Sequence, residues 1–372
     1  MPNPFSQFLD GAKEIFAGSG DGSVVGVDIG SSSIKVVQLK RKQGVLVLET
    51  YGELTLGPFA GQEAGQIVQL NESFVPQALT SILTESKVTA QKMFLSTRSA
   101  SSLMFVLSVP PVSDRELASL LPNEVRKYIP VPVSEVSLDW WIIPEREDIA
   151  PEDQKGTNAK KREVLVTAVH NDTMRMYGEI VQQAHITPAG YEIEMFSAVR
   201  SSVRHDYKPS LVIDFGASAT RVAIIEYGVV RAFHTIARGS HHISHALSAS
   251  LGIPFTQAEN KKKEIGLLGS GPDADVARSS EMTVSVLFSE MQRIVMEYER
   301  TYGRAIDHVV LTGGGSLLKG FEERVRETFR ADVARAQPFR KTKAPQFLEG
   351  TLGEVGPTFS VAVGLALRGV GE

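Results

Sequence analysis

Apolar positions along the chain follow two rhythms. VGVDIGSSSIKVVQL from Val25, VIDFGASATRVAIIE from Val212, KMFLST, SLMFVLSV, SLDWWII and VLVTAV are short β-branched or aromatic runs broken by glycine or polar residues, and they predict strands. FVPQALTSILTESK, the stretch from Ser113 to Tyr128, the stretch from Thr173 and the segment after Ser316 carry the wider spacing of amphipathic helices. SLMFVLSV is apolar at nearly every position, which predicts burial on both faces or an apolar surface left for a partner. The polar EREDIAPEDQKGTNAKKRE is longer than a usual hairpin loop. Near the start, Phe5, Phe8, Leu9, Ala12, Ile15 and Phe16 form a helical stripe, read either as packing on the core or as a docking helix for a partner.

Two of these runs are copies of one another. Asp28 matches Asp214, Gly30 matches Gly216, Ser32 matches Ser218 and Lys35 matches Arg221, all at an offset of 186 residues, half of the 372-residue chain. Each copy is strand, Asp-x-Gly turn with small hydroxyl residues, and strand. Such a turn leaves backbone N–H groups uncovered for phosphate oxygens, and the strand-end Asp can hold a hydrated Mg²⁺. One copy alone is as well explained by an ordinary turn, whereas two facing copies clamp a polyphosphate. A third piece, HVVLTGGGSLLKGFEERV, runs from a strand through Gly313, Gly314, Gly315 and Ser316 into a helix, where a nucleotide can lie against backbone.

Composition narrows the alternatives. Hydrophobic residues at 42% and charged residues at 22% are those of a folded globular chain, and the length fits two domains or one large bilobed one. A net charge of −4 creates no strong field toward nucleic acid. The absence of cysteine excludes thiolate metal sites and a Cys nucleophile, and agrees with a cytoplasmic setting. No signal peptide and no stretch of about 20 apolar residues is visible, so a membrane link is expected to run through a partner. His241 and His245 stand at i,i+4, but no HExxH glutamate or third ligand accompanies them.

Hairpin, hairpin and glycine loop, in that order, resemble the phosphate, second phosphate and adenosine motifs of the actin-like ATPase superfamily. The resemblance implies an α/β fold, actin-like (ribonuclease H-like), duplicated and two-lobed, that binds ATP and Mg²⁺. It implies that Asp28 and Asp214 hold the metal, and that Gly30, Ser31, Ser32, Ser33 and Lys35, mirrored by Gly216, Ala217, Ser218 and Arg221, grip phosphates. Gly313 to Ser316 would take the adenosine, together with Glu259 and Lys262 of AENKKKEIG, which share a helix face. Glu194, ahead of MFSAVRS, is the candidate for orienting the attacking water, with a helix-N-terminal acid as the plainer reading. Hydrolysis is expected to be slow at most.

LLPNEVRKYIPVPVSEVSLDWWIIP is similar to the signature region of the PilM family of type IV pilus assembly, met here by Glu124, Tyr128, Ile129, Pro130, Val136, Leu138, Asp139 and Trp140. That resemblance implies a subdomain inserted as in FtsA and PilM. The division it predicts is an extension (1–22), a first lobe (23–93, continued by 190–207 and 355–370), the insertion (94–189) and a second lobe (208–354, its outer part about 246–305). It also implies a cytoplasmic ATP-binding adaptor peripheral to the inner membrane, which binds the N-terminal cytosolic tail of PilN near Val106, Tyr128, Ile129, Pro130 and Val131. Contact with pilus motor ATPases and self-association fit the same resemblance. A filament-forming FtsA- or MreB-like protein is the alternative, and a sugar-kinase-type phosphotransferase a weaker one.

Overall fold

In the computed structural model the described residues are 22–98, 102–143, 162–203 and 208–371. The N-terminal stripe and most of the long polar loop lie outside them. The first sheet contains β1 (Ser23–Ile29), β2 (Ser33–Lys42), β3 (Val45–Thr55), β4 (Lys92–Thr97) and β8 (Gly190–Ile193), in the order β3-β2-β1-β4-β8. Strands β1 to β3 are antiparallel neighbours, whereas β4 and β8 run parallel to β1. Both faces are covered, which explains the unbroken apolar runs. Val25, Val27 and Ile29 meet α1 (Val75–Glu85) and α3 (Asn171–Gln183), while Val37 and Leu39 meet α10 (Ser360–Val370).

Helix α10 is apolar on nearly every side, with Arg368 its one charge, and is largely buried, as such a helix must be. It crosses β1, β2 and β4 and packs on α4 (Glu194–Ser202). Gly364 sits against the Ser197 carbonyl so closely that any side chain would collide with backbone. Beside this crossing, buried Glu192 accepts both arms of Arg200 at 2.6 and 2.7 Å, takes the Ser197 hydroxyl, and lies 3.4 Å from Arg368 of α10.

The second sheet repeats the first strand for strand. It contains β9 (Ser210–Phe215), β10 (Thr220–Glu226), β11 (Val229–Ile236), β12 (His308–Thr312) and β13 (Asp332–Arg335), in the order β11-β10-β9-β12-β13. Here too the first three strands are antiparallel and the last two run parallel to the first of them. One face buries Leu211, Ile213 and Phe215 under α5 (Ser240–Leu251), α7 (Ala274–Tyr302) and α8 (Phe321–Phe329). Helix α6 (Phe255–Ile265) packs on α5 and α7, and α9 (Glu349–Val355) leads toward α10.

A third sheet, β5-β7-β6, holds β5 (Ser102–Val109), β6 (Val136–Ile142) and β7 (Arg162–His170). Leu107 and Val109 face α2 (Asp114–Glu124), while Met104 packs toward the second sheet, so the non-alternating β5 serves two cores. Helix α2 opens with a capping box: Ser113 N donates to Glu116 at 2.9 Å, and Glu116 N donates back to the Ser113 hydroxyl.

The predicted insertion of 94–189 divides differently. β4 is hydrogen-bonded between β1 and β8, and α3 buries Tyr177, Ile180 and Val181 in the core of the first lobe. The separate sheet therefore begins at β5 and ends at β7.

Candidate functional site

Both strand-end aspartates arise from one local construction. β1 carries Asp28 as its next-to-last residue and turns at Gly30, whose N–H donates to the Ser33 carbonyl at 3.0 Å; β9 carries Asp214 as its next-to-last residue and turns at Gly216, whose N–H donates to the Ala219 carbonyl at 3.1 Å. In register, Asp28 stands opposite Lys35 and Asp214 opposite Arg221. The parallel neighbour of each first strand then supplies a hydroxyl. Ser96 of β4 donates to Asp28 at 2.9 Å, and Thr312 of β12 donates to Asp214 at 3.2 Å. The amides of Ser31, Ser32, Ala217 and Ser218 donate to no backbone carbonyl among the described residues, the arrangement a turn needs to meet an anion.

The charges converge from both lobes. Burial pushes the Asp28 carboxyl above its ordinary value against the pull of Lys35 and Ser96, and the nearby Asp214 charge pushes it the same way. Arg221 lies buried with Nε 2.6 Å from Glu194 Oε1 and Nη1 3.1 Å from Asp214 Oδ2. Burial alone would lower its pKa, but Glu194, Asp214 and Asp28 together raise it. Glu194 therefore begins α4 as an acid at a helix N-terminus and is also a partner of the second hairpin. Lys35 instead donates to Ser33 Oγ at 2.8 Å and lies 3.5 Å from Glu53.

The glycine loop closes against the second aspartate. Gly313 has φ +79° and ψ 155°, and a Cβ there would lie 2.5 Å from Asp214 Oδ1 and 2.6 Å from the Phe215 carbonyl oxygen. Ser316 donates its hydroxyl to the Gly313 carbonyl at 2.6 Å. On α6, Lys262 meets Glu259 at 2.6 Å, and Ser244 donates to Glu259 at 2.5 Å. The first lobe reaches this helix through Glu63, which accepts from Thr256 N at 3.0 Å and from the Thr256 hydroxyl. Gly65 lies over the Glu259 side chain.

These residues fit a Mg-nucleotide between the hairpins, with open amides for phosphates and two aspartates able to hold a hydrated cation. Among the described residues no three carboxylate or imidazole groups form a direct ligand set. Ser96, Thr312 and Glu63 were missed from sequence. The hydroxyls ending KMFLST and HVVLT were the available signal for the first two.

The five candidate partner residues do not form one surface. Tyr128 is 55% exposed and stacks on Phe105 with centroids 5.2 Å apart, Pro130 is exposed and Val131 is half-buried. Ile129 is buried in the core beneath α2, and Val106 points to the opposite sheet face, among residues that pack toward the second lobe.

Two sheets of one strand order, each with an Asp-x-Gly hairpin, whose aspartates act electrostatically on one another, make a two-lobed actin-like fold. The solved PilM–PilN type IV pilus biogenesis complex contains a chain of this fold, 20% identical, with a TM-score of 0.79 over 95% of this chain and 99% of that one. The ethanolamine utilization protein EutJ from Carboxydothermus hydrogenoformans is 16% identical, with a TM-score of 0.53 over 97% of both chains. The family model of the type IV pilus assembly protein PilM matches residues 26–370, and the chain belongs to that family. Cell division protein FtsA of Helicobacter pylori is 27% identical over 248 residues, 59% of this chain and 50% of that protein, so the match spans about half of that relative. No helix among the described residues is long and apolar enough to cross a membrane.

Proposed function

We propose that this chain binds ATP with Mg²⁺ between its two hairpins and serves as a nucleotide-responsive cytoplasmic adaptor of the pilus assembly platform. The observation that carries the reading is the doubled hairpin, with Asp28 and Asp214 in one electrostatic neighbourhood and open turn amides beside each. Asp28 and Asp214 would hold the cation through water, the Ser31–Ser33 and Ala217–Ser218 turns would take the phosphates, and Gly313 to Ser316 with Glu259 and Lys262 would take the nucleoside. A bound nucleotide supplies polyphosphate charge that draws the lobes together, and the chain's own residues orient it and exclude water. Because Glu194 is held by Arg221, turnover is slow and nucleotide state acts mainly by setting how the lobes meet.

The partner is the cytosolic tail of a PilN-type membrane protein, through which the chain stays peripheral to the inner membrane. The exposed Tyr128–Pro130–Val131 turn offers aromatic and proline surface for such a peptide. Isothermal titration tests the nucleotide half: wild type binds Mg-ATP saturably, and Asp28→Ala or Asp214→Ala abolishes the signal with the circular dichroism spectrum intact. Wild-type affinity in either folded variant would refute the clamp.

A further inference from the structure

Three cations of the candidate site are already engaged. Arg221 holds Asp214 and Glu194, Lys35 donates to Ser33 and lies 3.5 Å from Glu53, and Lys262 meets Glu259. Arg98 differs from them. It directly follows β4, two residues after Ser96, whose hydroxyl donates to Asp28. The residue is half-buried, its Nε is buried without a hydrogen-bond partner, and its guanidinium forms no ion pair among the described residues. The hydroxyl of the adjacent Thr97, a fully buried residue, has no partner among them either. Unsatisfied polar atoms therefore gather at this one end of β4.

That end is the one that carries Asp28 and Glu194. β1, β4 and β8 are parallel neighbours whose carboxyl ends finish together, the side on which open α/β sheets take their ligands. Along β4, Phe94 packs with Ala198 of α4 and Ser96 reaches Asp28, so Arg98 is next in the series on the side of α4. Thr97 stands in register with Ile193, the residue before Glu194. Tyr177 of α3 ties these groups together, because its buried hydroxyl lies beside the Arg98 backbone and within electrostatic reach of Arg98, Glu194 and Asp28. A half-buried guanidinium without a counter-charge is costly to desolvate, and an anion arriving beside it offsets that cost.

We propose that Arg98 is a cation of the first lobe for the terminal phosphate of a nucleoside triphosphate. The inference rests on the nucleotide reading above. In that reading the nucleoside lies on the second lobe, at Glu259, Lys262 and the glycine loop, and the phosphates run from there between the hairpins, so the last of them comes nearest to Glu194 and Arg98. A guanidinium keeps its charge at any ordinary pH, and its planar fork matches phosphate oxygens. The contact is additional to the hydrated cation held by Asp28 and Asp214 and does not replace it. Its consequence is a preference for the triphosphate, because a diphosphate ends short of Arg98.

The test is isothermal titration of the full chain with Mg-ATP and with Mg-ADP, for wild type, Arg98→Gln and Arg98→Met. The methionine variant keeps an apolar stem and removes only the charged end, so the two variants guard against an effect of packing; thermal unfolding reports the fold of both. Since Arg98 has no ion pair to lose, both variants are expected to melt within a few degrees of wild type. ATP affinity is expected to fall about tenfold or more in each variant, the factor matching loss of one charge-assisted hydrogen bond, while ADP affinity stays within about threefold. Unchanged ATP affinity in a folded variant, or equal losses for ATP and ADP, overturns the inference and leaves the nucleotide reading intact. Absence of binding of either nucleotide to wild type overturns the nucleotide reading itself, and the inference with it.

Discussion

Replacing the three glycines of the loop after β12 one at a time should give sharply unequal results. Gly313 combines φ +79° with ψ 155°, a region essentially reserved for glycine, and its missing Cβ would fall 2.5 Å from Asp214 Oδ1 and 2.6 Å from backbone oxygen of Phe215. Occupying that region with alanine costs roughly 1–3 kcal/mol. Forcing a methyl into packed backbone adds roughly 1–3 kcal/mol. Gly313→Ala is therefore expected to lose about 2–6 kcal/mol, a large part of the roughly 5–15 kcal/mol that holds a domain folded. Gly315→Ala meets Phe215 at 2.6 Å from its ring and 2.7 Å from its carbonyl oxygen, and should also destabilise. At Gly314 the nearest atom to a new Cβ is Thr358 Oγ1 at 3.7 Å, an ordinary contact, so Gly314→Ala should cost less than about 1 kcal/mol. Urea unfolding of the three variants is the assay. Equal midpoints for Gly313→Ala and Gly314→Ala would refute the close approach of this loop to Asp214.

Glu192→Ala should destabilise by about 1–3 kcal/mol in urea, because it leaves half-buried Arg200 without its bidentate partner and loosens α4 from α10. The same group sets an acid limb. Burial raises the Glu192 pKa, but Arg200, Arg368 and Ser197 hold it below the ordinary 4.5. Its contribution is therefore full above pH 4.5 and is lost as pH falls through the lowered folded value; Glu192→Gln should flatten that part of the stability profile. Asp28 has the opposite sign. Its folded pKa is raised, so ionisation opposes folding as pH climbs above 3.8, and Asp28→Asn should raise the melting temperature at pH 7 while removing ATP binding. Val131→Asp should weaken binding of a synthetic PilN-type tail by fluorescence anisotropy without changing ATP affinity; unchanged peptide affinity would move the docking surface elsewhere.

The hairpins were legible from sequence because an Asp-x-Gly turn between apolar strands is written within about ten residues, and the 186-residue offset exposed the duplication. Glu194 and Arg221 were each singled out, but their meeting at 2.6 Å joins separate lobes, and no local periodicity encodes such a contact. The same holds for β4, which adjoins β5 in the chain yet pairs with β1 and β8; adjacency suggested one inserted unit, and long-range parallel pairing decided otherwise. Tyr128, Ile129 and Val106 looked alike as apolar candidates. Alternation along β5 and the turn after α2 sent Val106 to the opposite face and Ile129 into the core, leaving Tyr128 exposed. Helix α10 was placed in the first lobe by the family resemblance, but the glycine that admits α4 so closely was not singled out.

A crystal structure of the chain grown with a non-hydrolysable ATP analogue tests the central claim most directly. The account predicts the triphosphate between the two hairpins, within hydrogen-bond distance of amides in Ser31 to Ser33 and in Ala217 to Ser218, with the nucleoside against Gly314 to Ser316 and beside Glu259 and Lys262. An analogue bound elsewhere, or a cleft that stays closed by the Glu63 contact with Thr256 at saturating analogue while the aspartate pair remains untouched, would contradict it.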